Sequence, residues 1–495
     1  MKIGFAGVML LSILAIAGLI FLLDTGSDSS LGSGEPLVLY CAAGIRLPVA
    51  DVMAEYTKEY GVTFQTKYAG SGALLSDLRV GEGDLYLAAD VYYLDQARKK
   101  KLVREIFSIA RQSPALAVRK GNPKNIRGLD DLKRSDVEIS LANPEIAAIS
   151  RVAKKLMHSE QLWNDLWSAS EIHRDTVNAV ANDIKMEISD AGIVWDATAM
   201  QYEELEIVPV PEFENSPNQI TIGILETSEQ PTRALHFARY LTAPEKGARA
   251  FKKHGYRVIE GDKWAESPEI HIFAGGLNRL AIEQTVVDFK KREGVEVLTT
   301  YNGCGILIGQ MIGGEHPDLY FSCDISFMDQ VQDLFINPTN VSKSDMVIIT
   351  EKGNPKQIAG LEDLAKPGLK VALCDPQQSA LGSLTDQLLK RRGIQEKVLK
   401  NRQVTSPTAD NLVQFIVVGK MDAAVVYKAN TVLQADKLEV IPIDDPTAVA
   451  VQPIAVGKDS EYPQLSGRLM EAIMSAESKK MFDKFGFEWM VEQNP

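Results

Sequence analysis

Two short stretches of this 495-residue chain carry residue types and spacing suited to chemistry on an anion: YAGSGALL from Tyr68 and YNGCGILI from Tyr301. In each, two glycines bracket one small polar residue, Ser71 or Cys304, after a short strand and before an amphipathic segment. Such a loop turns backbone N–H groups, and the hydroxyl or thiol, towards whatever sits at the start of the next helix. That geometry favours anions. A covalent enzyme would need a base beside either group. The six histidines, His158, His173, His236, His254, His271 and His316, form no HxxxH or HxH pattern. Ser71 lacks the GxSxG frame of a nucleophile elbow, and no histidine is paired with Cys304 by spacing. The chain is therefore expected to bind rather than to catalyse, with no cofactor and no metal.

The formal charge of −13, with basic residues scattered among acids, argues against a nucleic-acid partner. Anion binding must then be local. The four cysteines, Cys41, Cys304, Cys323 and Cys374, have no metal-ligand spacing, and Cys41, Cys323 and Cys374 read as small buried hydrophobes. At the N-terminus Lys2 precedes an uncharged run over 3–23, about the ~20 residues that cross a bilayer as a helix. Residues 1–23 read as an uncleaved signal anchor, with export followed by cleavage as the other reading. Residues 24–36, TGSDSSLGSGE and its flanks, read as a flexible tether that places the body outside the cytoplasm.

The body repeats itself. Tyr68 pairs with Tyr301, Lys120 of KGNPKNIRGLDDL with Lys352 of KGNPKQIAGLEDL, and Gly255 of KKHGY with Gly486 of DKFGF, all at offsets of about 232 residues. That period suits a duplicated domain: 37–266, then 267–495, with the boundary near Ser267 and a new strand at His271. Within each copy apolar runs alternate with helical patterns, which predicts an α/β fold with a mainly parallel sheet and a ligand beyond the strand ends. Pro123 and Pro355 preset a turn, and GLDDL and GLEDL read as helix starts.

The motif order is recognisable. LYCAAG or IFAGG, the two glycine loops, GDLYLAAD or PDLYFSCD, the KGNP segments, LANPEIAAIS or LCDPQQSALG, DAGIVW or DAAVVY, and the closing KKHGY or DKFGF follow one another twice. Each copy resembles the periplasmic molybdate-binding proteins, type II substrate-binding proteins of ABC importers. The resemblance implies two tandem domains, each of two α/β lobes joined by crossing strands around a cleft. In that cleft neutral hydroxyls and helix-start N–H groups would hold a tetrahedral oxyanion.

Carried over position by position, the resemblance implies ligand contacts at Gly44, Ser71, Ile149, Val177 and Trp195 in the first copy. In the second it implies Gly276 (or Leu277, one residue on), Cys304, Leu381, Ala409 and Tyr427. Neither copy keeps the family's first serine, Cys304 replaces the second, and Trp195 stands where the family has tyrosine. Arg46 and Arg279 read as helix-surface residues, and Tyr92-Tyr93 gives no support to a ferric-ion site. The implied function is extracytoplasmic capture of a molybdate- or tungstate-like oxyanion for an ABC importer permease. The alternative is a membrane-tethered tandem receptor or scavenger for a different anion, organic ones included, with one degenerate site. If one cleft alone works, Ser71 makes it the first.

Overall fold

A computed structural model describes residues 31–32, 34–157, 159–214 and 218–492. The apolar run 3–23, and with it the anchor reading, lies outside them. Among the described residues no helix is long and apolar enough to cross a membrane.

Two hydrophobic cores form in succession, one drawn from Leu37 to Tyr256 and the other from Ile270 to Phe487. The first domain runs β1 (Leu37–Ala42), β2 (Phe64–Ala69), β3 (Leu85–Ala88), β4 (Val103–Arg111), β5 (Pro114–Arg119), β6 (Ile139–Ala142), β7 (Ile172–Arg174), β8 (Ala191–Trp195), β9 (Leu205–Val208), β10 (Gln219–Leu225) and β11 (Arg257–Val258). They form two sheets, ordered β11-β4-β10-β3-β1-β2 and β7-β6-β8-β5-β9, one per lobe. Strands β1, β3 and β8 read as unbroken apolar runs because helices cover both faces of their sheets. The sheets are mixed rather than mainly parallel: β1 pairs in parallel with β2 and β3, whereas β10 runs antiparallel to β3 and β4. The antiparallel strands are those next to the crossings between lobes.

The second domain repeats the plan with β12 (Glu269–Gly275), β13 (Glu296–Asn302), β14 (Leu319–Phe321) and β15 (Phe335–Glu351). β12 begins two residues before the expected His271. Where the first domain breaks between β4 and β5, β15 runs unbroken through both lobes, so its two sheets join into one. GLDDL and GLEDL form single 3-10 turns, Leu129–Lys133 and Leu361–Ala365, instead of starting longer helices. Their leucines are buried, and the chain turns back into the core at once.

The domains meet through a buried ionic cluster. Glu293 ends one helix of the second domain and receives Arg468 Nε at 2.6 Å and, across the interface, Arg239 Nη1 at 3.0 Å. Arg292 makes a two-pronged pair with Glu105, at 2.6 and 3.0 Å. From the linker, Asp262 accepts the N–H groups of Gln464 and Leu465 at 2.9 and 2.8 Å, capping the helix Pro463–Ile473.

Candidate functional site

Strand ends and helix starts converge between the lobes of each domain. In the first, the helices Ser71–Asp77, Ala148–Leu156 and Val177–Lys185 begin at one small cavity, and in the second Cys304–Ile312, Ala380–Arg391 and Ala409–Val417 do the same. The first N–H groups of a helix have no intrahelical acceptor, and its dipole presents partial positive charge there. Gly44, Ser71, Ile149, Val177 and Trp195 all line the first cavity; Gly276, Cys304, Leu381, Ala409 and Tyr427 all line the second. Neither lining includes a charged side chain. Each cavity measures about 20 Å³, roughly the room for a water molecule or two.

The strand register fixes which residues correspond. Ala42 pairs with Ala69 and, in the second domain, Gly275 pairs with Asn302, one residue after Tyr301. Gly275 therefore occupies the place of Ala42, and Leu277, rather than Gly276, the place of Gly44. Gly276 lines the cleft as the counterpart of Ala43. The arginines agree with this alignment: Arg46 lies 5.3 Å over the Tyr68 ring and Arg279 lies 5.6 Å over Tyr301, both on the exposed helix surface.

Ser71 is buried, its Oγ accepting the Ala89 N–H at 3.1 Å while its hydroxyl proton remains free to donate. Cys304 Sγ accepts the Cys323 N–H in the same way at 3.2 Å. The flanking glycines have a different task. Gly72 N–H donates to Ile146 O of the opposite lobe at 2.8 Å, and a methyl on Gly70 would lie 2.9 Å from Asp175 O. Gly305 N–H donates across the second cleft to Gln378 O at 3.0 Å, and a methyl on Gly303 would lie 2.6 Å from Pro407 O. Both clefts are thus closed, backbone against backbone, and only glycine permits the approach.

The aromatic residues differ between copies. Trp195 is 1% exposed and packs beside Gly44, where a methyl would lie 3.6 Å from Trp195 Cδ1 and 2.8 Å from Val177 Cγ1. A serine at Gly44 would collide with that packing. Tyr427 is equally buried, and its hydroxyl has no partner among the described residues. Burial holds this phenol well above its ordinary range, so it is a neutral donor aimed into the second cleft.

Several contributors were not visible in the sequence. Tyr256 of KKHGY donates its hydroxyl to Gly44 O at 2.7 Å, bracing the cleft floor. Arg151, on the helix behind Ile149, forms an ion pair with Asp90 of the opposite lobe and lies 4.0 Å over the Tyr92 ring. Tyr92 therefore belongs to a latch on the closed cleft. The second copy has Ser383 at the position of Arg151 and Phe487 at that of Tyr256, and so lacks both devices. The larger cavity between domains, about 590 Å³, is lined by charges that neutralise one another, Arg292 with Glu105 and Arg468 with Glu293.

Comparison with known proteins agrees with the duplication. The family described as bacterial extracellular solute-binding protein matches residues 37–257 and, a second time, 270–488. Molybdate-binding protein ModA of Mycobacterium tuberculosis is 30% identical over 224 residues, 44% of this chain and 84% of that protein. A sulfate-binding protein of Synechococcus elongatus is 24% identical over 257 residues, covering 44% of this chain and 72% of its own length. The substrate binding domain of a putative molybdenum ABC transporter from Clostridium difficile aligns over 46% of this chain and 100% of its own, at 23% identity and a TM-score of 0.36. Two successive family matches, each spanning one core and one cleft, show that the chain belongs to the bacterial extracellular solute-binding proteins, as a tandem of two molybdate-binding-protein-like domains.

Proposed function

We propose that the chain captures a small tetrahedral oxyanion of the molybdate or tungstate class outside the cytoplasm and delivers it to the permease of an ABC importer, tethered at the membrane by residues 3–23. The observation that carries this reading is the convergence of three helix starts on each cleft, with no charged side chain in either lining. Aligned N–H dipoles can solvate a buried oxyanion without a counter-ion, and a fixed neutral array discriminates by size and protonation state. The glycine–carbonyl contacts close both clefts, so the lobes part to admit the anion and close again around it. A bulky organic anion would hold apart the glycine–carbonyl contacts that close each cleft, which counts against the alternative.

The first cleft is the stronger of the two on this reading. It keeps Ser71 and has the Arg151–Asp90 latch. The second offers Cys304, a weaker donor, and carries Asp410 at the second position of the helix that starts at Ala409. Burial raises the Asp410 carboxyl, though its ionised form would still repel an anion. Tyr427 partly offsets this by supplying a free hydroxyl.

Isothermal titration of the protein with molybdate, tungstate, sulfate and phosphate tests the proposal. Micromolar or tighter binding of molybdate or tungstate is expected, weakened at one site by Ser71→Ala. Absence of heat with all four anions refutes it.

A further inference from the structure

Beside the glycine loop of the second domain, the two copies differ at three neighbouring positions together. Where the first copy has Ala42, Ser71 and Ala89, the second has Gly275, Cys304 and Cys323. The correspondence is structural: Ala89 N–H donates to Ser71 Oγ at 3.1 Å, and Cys323 N–H donates to Cys304 Sγ at 3.2 Å. A methyl on Gly275 would lie 2.9 Å from Cys304 Sγ and closer still to Cys323 Sγ. The glycine thus vacates the volume that the two sulfurs occupy, and both sulfurs border this one small space and line the cleft.

The surroundings give the two thiols unequal roles. Cys304 is the first residue of the nine-residue helix Cys304–Ile312, where the dipole favours a thiolate. Its sulfur also faces Ser322 Oγ at 3.9 Å, which in turn receives the Tyr320 hydroxyl at 3.2 Å. The adjacent Cys323 thiol holds the Cys304 thiol below its ordinary range despite burial, and Cys323 is correspondingly pushed up. Of the other cysteines, Cys41 is buried in the first domain, and burial pushes Cys374 to about 12.

We propose that Cys304 and Cys323 form a reversible dithiol–disulfide site in the second cleft, oxidised by a low-molecular-weight disulfide when the lobes are open. The Cys304 thiolate attacks one sulfur of the reagent, forming a mixed disulfide and expelling one thiolate. Cys323 then attacks the Cys304 sulfur, its proton passing to the second expelled thiolate. The balance is two protein thiols and one small disulfide converted to one protein disulfide and two small thiols. The family's extracytoplasmic setting is where such bonds persist. Once oxidised, Cys304 no longer offers an S–H to a ligand, so the second cleft alone changes state.

The test uses the full-length protein with no anion added, so its outcome does not depend on the oxyanion reading. After equilibration in oxidised glutathione, the sample is alkylated under denaturing conditions and mapped by peptide mass spectrometry. A Cys304–Cys323 linkage lighter by two hydrogens is expected, with Cys41 and Cys374 alkylated and full reversal by reduced glutathione. Cys323→Ala should trap glutathione on Cys304. Cys304→Ser with Cys323→Ala, which restores the residues of the first copy, should lose the linkage and stay folded. Full alkylation of both cysteines in the oxidising buffer, linkage of either to Cys374, or reaction only after denaturation overturns the proposal.

Discussion

Gly72→Ala separates folding from ligand capture, because the two effects have opposite signs. Gly72 is the second residue of the helix Ser71–Asp77 and has no left-handed backbone angle. Alanine there should leave the unliganded domain as stable or more so, by up to about 0.5–1 kcal/mol, from helix propensity and a less entropic unfolded chain. In the closed cleft the added methyl would lie 3.0 Å from Ile146 O and closer still to Glu145 O, and it would disturb the 2.8 Å Gly72–Ile146 hydrogen bond. Losing that bond costs about 0.5–1.5 kcal/mol, and relieving the overlap roughly 1–3 kcal/mol. Together these weaken oxyanion binding by roughly 10- to 1000-fold at the first site. Titration calorimetry reads the affinity, and thermal unfolding without ligand reads the stability. Unchanged affinity would show that the lobes do not close on the ligand in this geometry. A fall in unliganded stability would show that Gly72 serves the fold of one lobe and not the contact between two.

Three further perturbations follow from buried polar groups. Tyr427→Phe should leave the second domain as stable or slightly more so, because the hydroxyl has no protein partner, while binding at the second site weakens by about tenfold; calorimetry on both properties checks the pair of signs. Glu293→Gln leaves Arg239 and Arg468 buried without a counter-charge and should cost about 3–5 kcal/mol, read as a lower melting temperature and separation of the two domains' transitions. Although burial raises the Glu293 carboxyl, Arg468 and Arg239 outweigh it and leave it lowered, so its contribution is complete above the ordinary carboxylate range. That contribution disappears as pH falls through the lower folded value, and scans below pH ~4.5 should show it. His236, against the Tyr56 hydroxyl at 2.7 Å, is lowered by burial from 6.5 to about 3. Between those values the unfolded chain binds the extra proton, so first-domain stability should rise with pH by up to about 1.4 kcal/mol per unit, a slope that His236→Gln flattens.

The duplication and the two-lobed fold were legible because glycine loops and helix starts are written in short, local patterns, and the ten residues carried over by resemblance line the two cavities. The choice between Gly276 and Leu277 was not legible, because a one-residue ambiguity beside a 3-10 turn is resolved only by strand pairing. Glu293 in KKREG looks like any charged helix end, and its burial depends on Arg239, 54 residues earlier in the chain. Asp90 and Arg151 meet across 61 residues, a distance at which sequence gives no hint that two charges will pair. All four cysteines are buried and free, but that Cys323 lies beside Cys304 was not legible, because only the end of β14 brings the two together.

The two clefts also divide the problem of anion recognition into parts. Both keep three convergent helix starts and the glycine contacts that close the lobes, so their backbone electrostatics match. Their side chains do not: Ser71, Trp195 and a Tyr256-braced Gly44 face one ligand space, while Cys304, Tyr427 and an unbraced Leu277 face the other. If the backbone array set affinity alone, the two sites would bind the same anion equally. Any difference measured between them would then come from these side chains, from the Arg151–Asp90 latch of the first cleft or from Asp410 in the second, within one polypeptide and one buffer. Reducing and oxidising the Cys304–Cys323 pair would vary one side of that comparison while the first cleft, which has no cysteine in its lining, stays fixed as the reference.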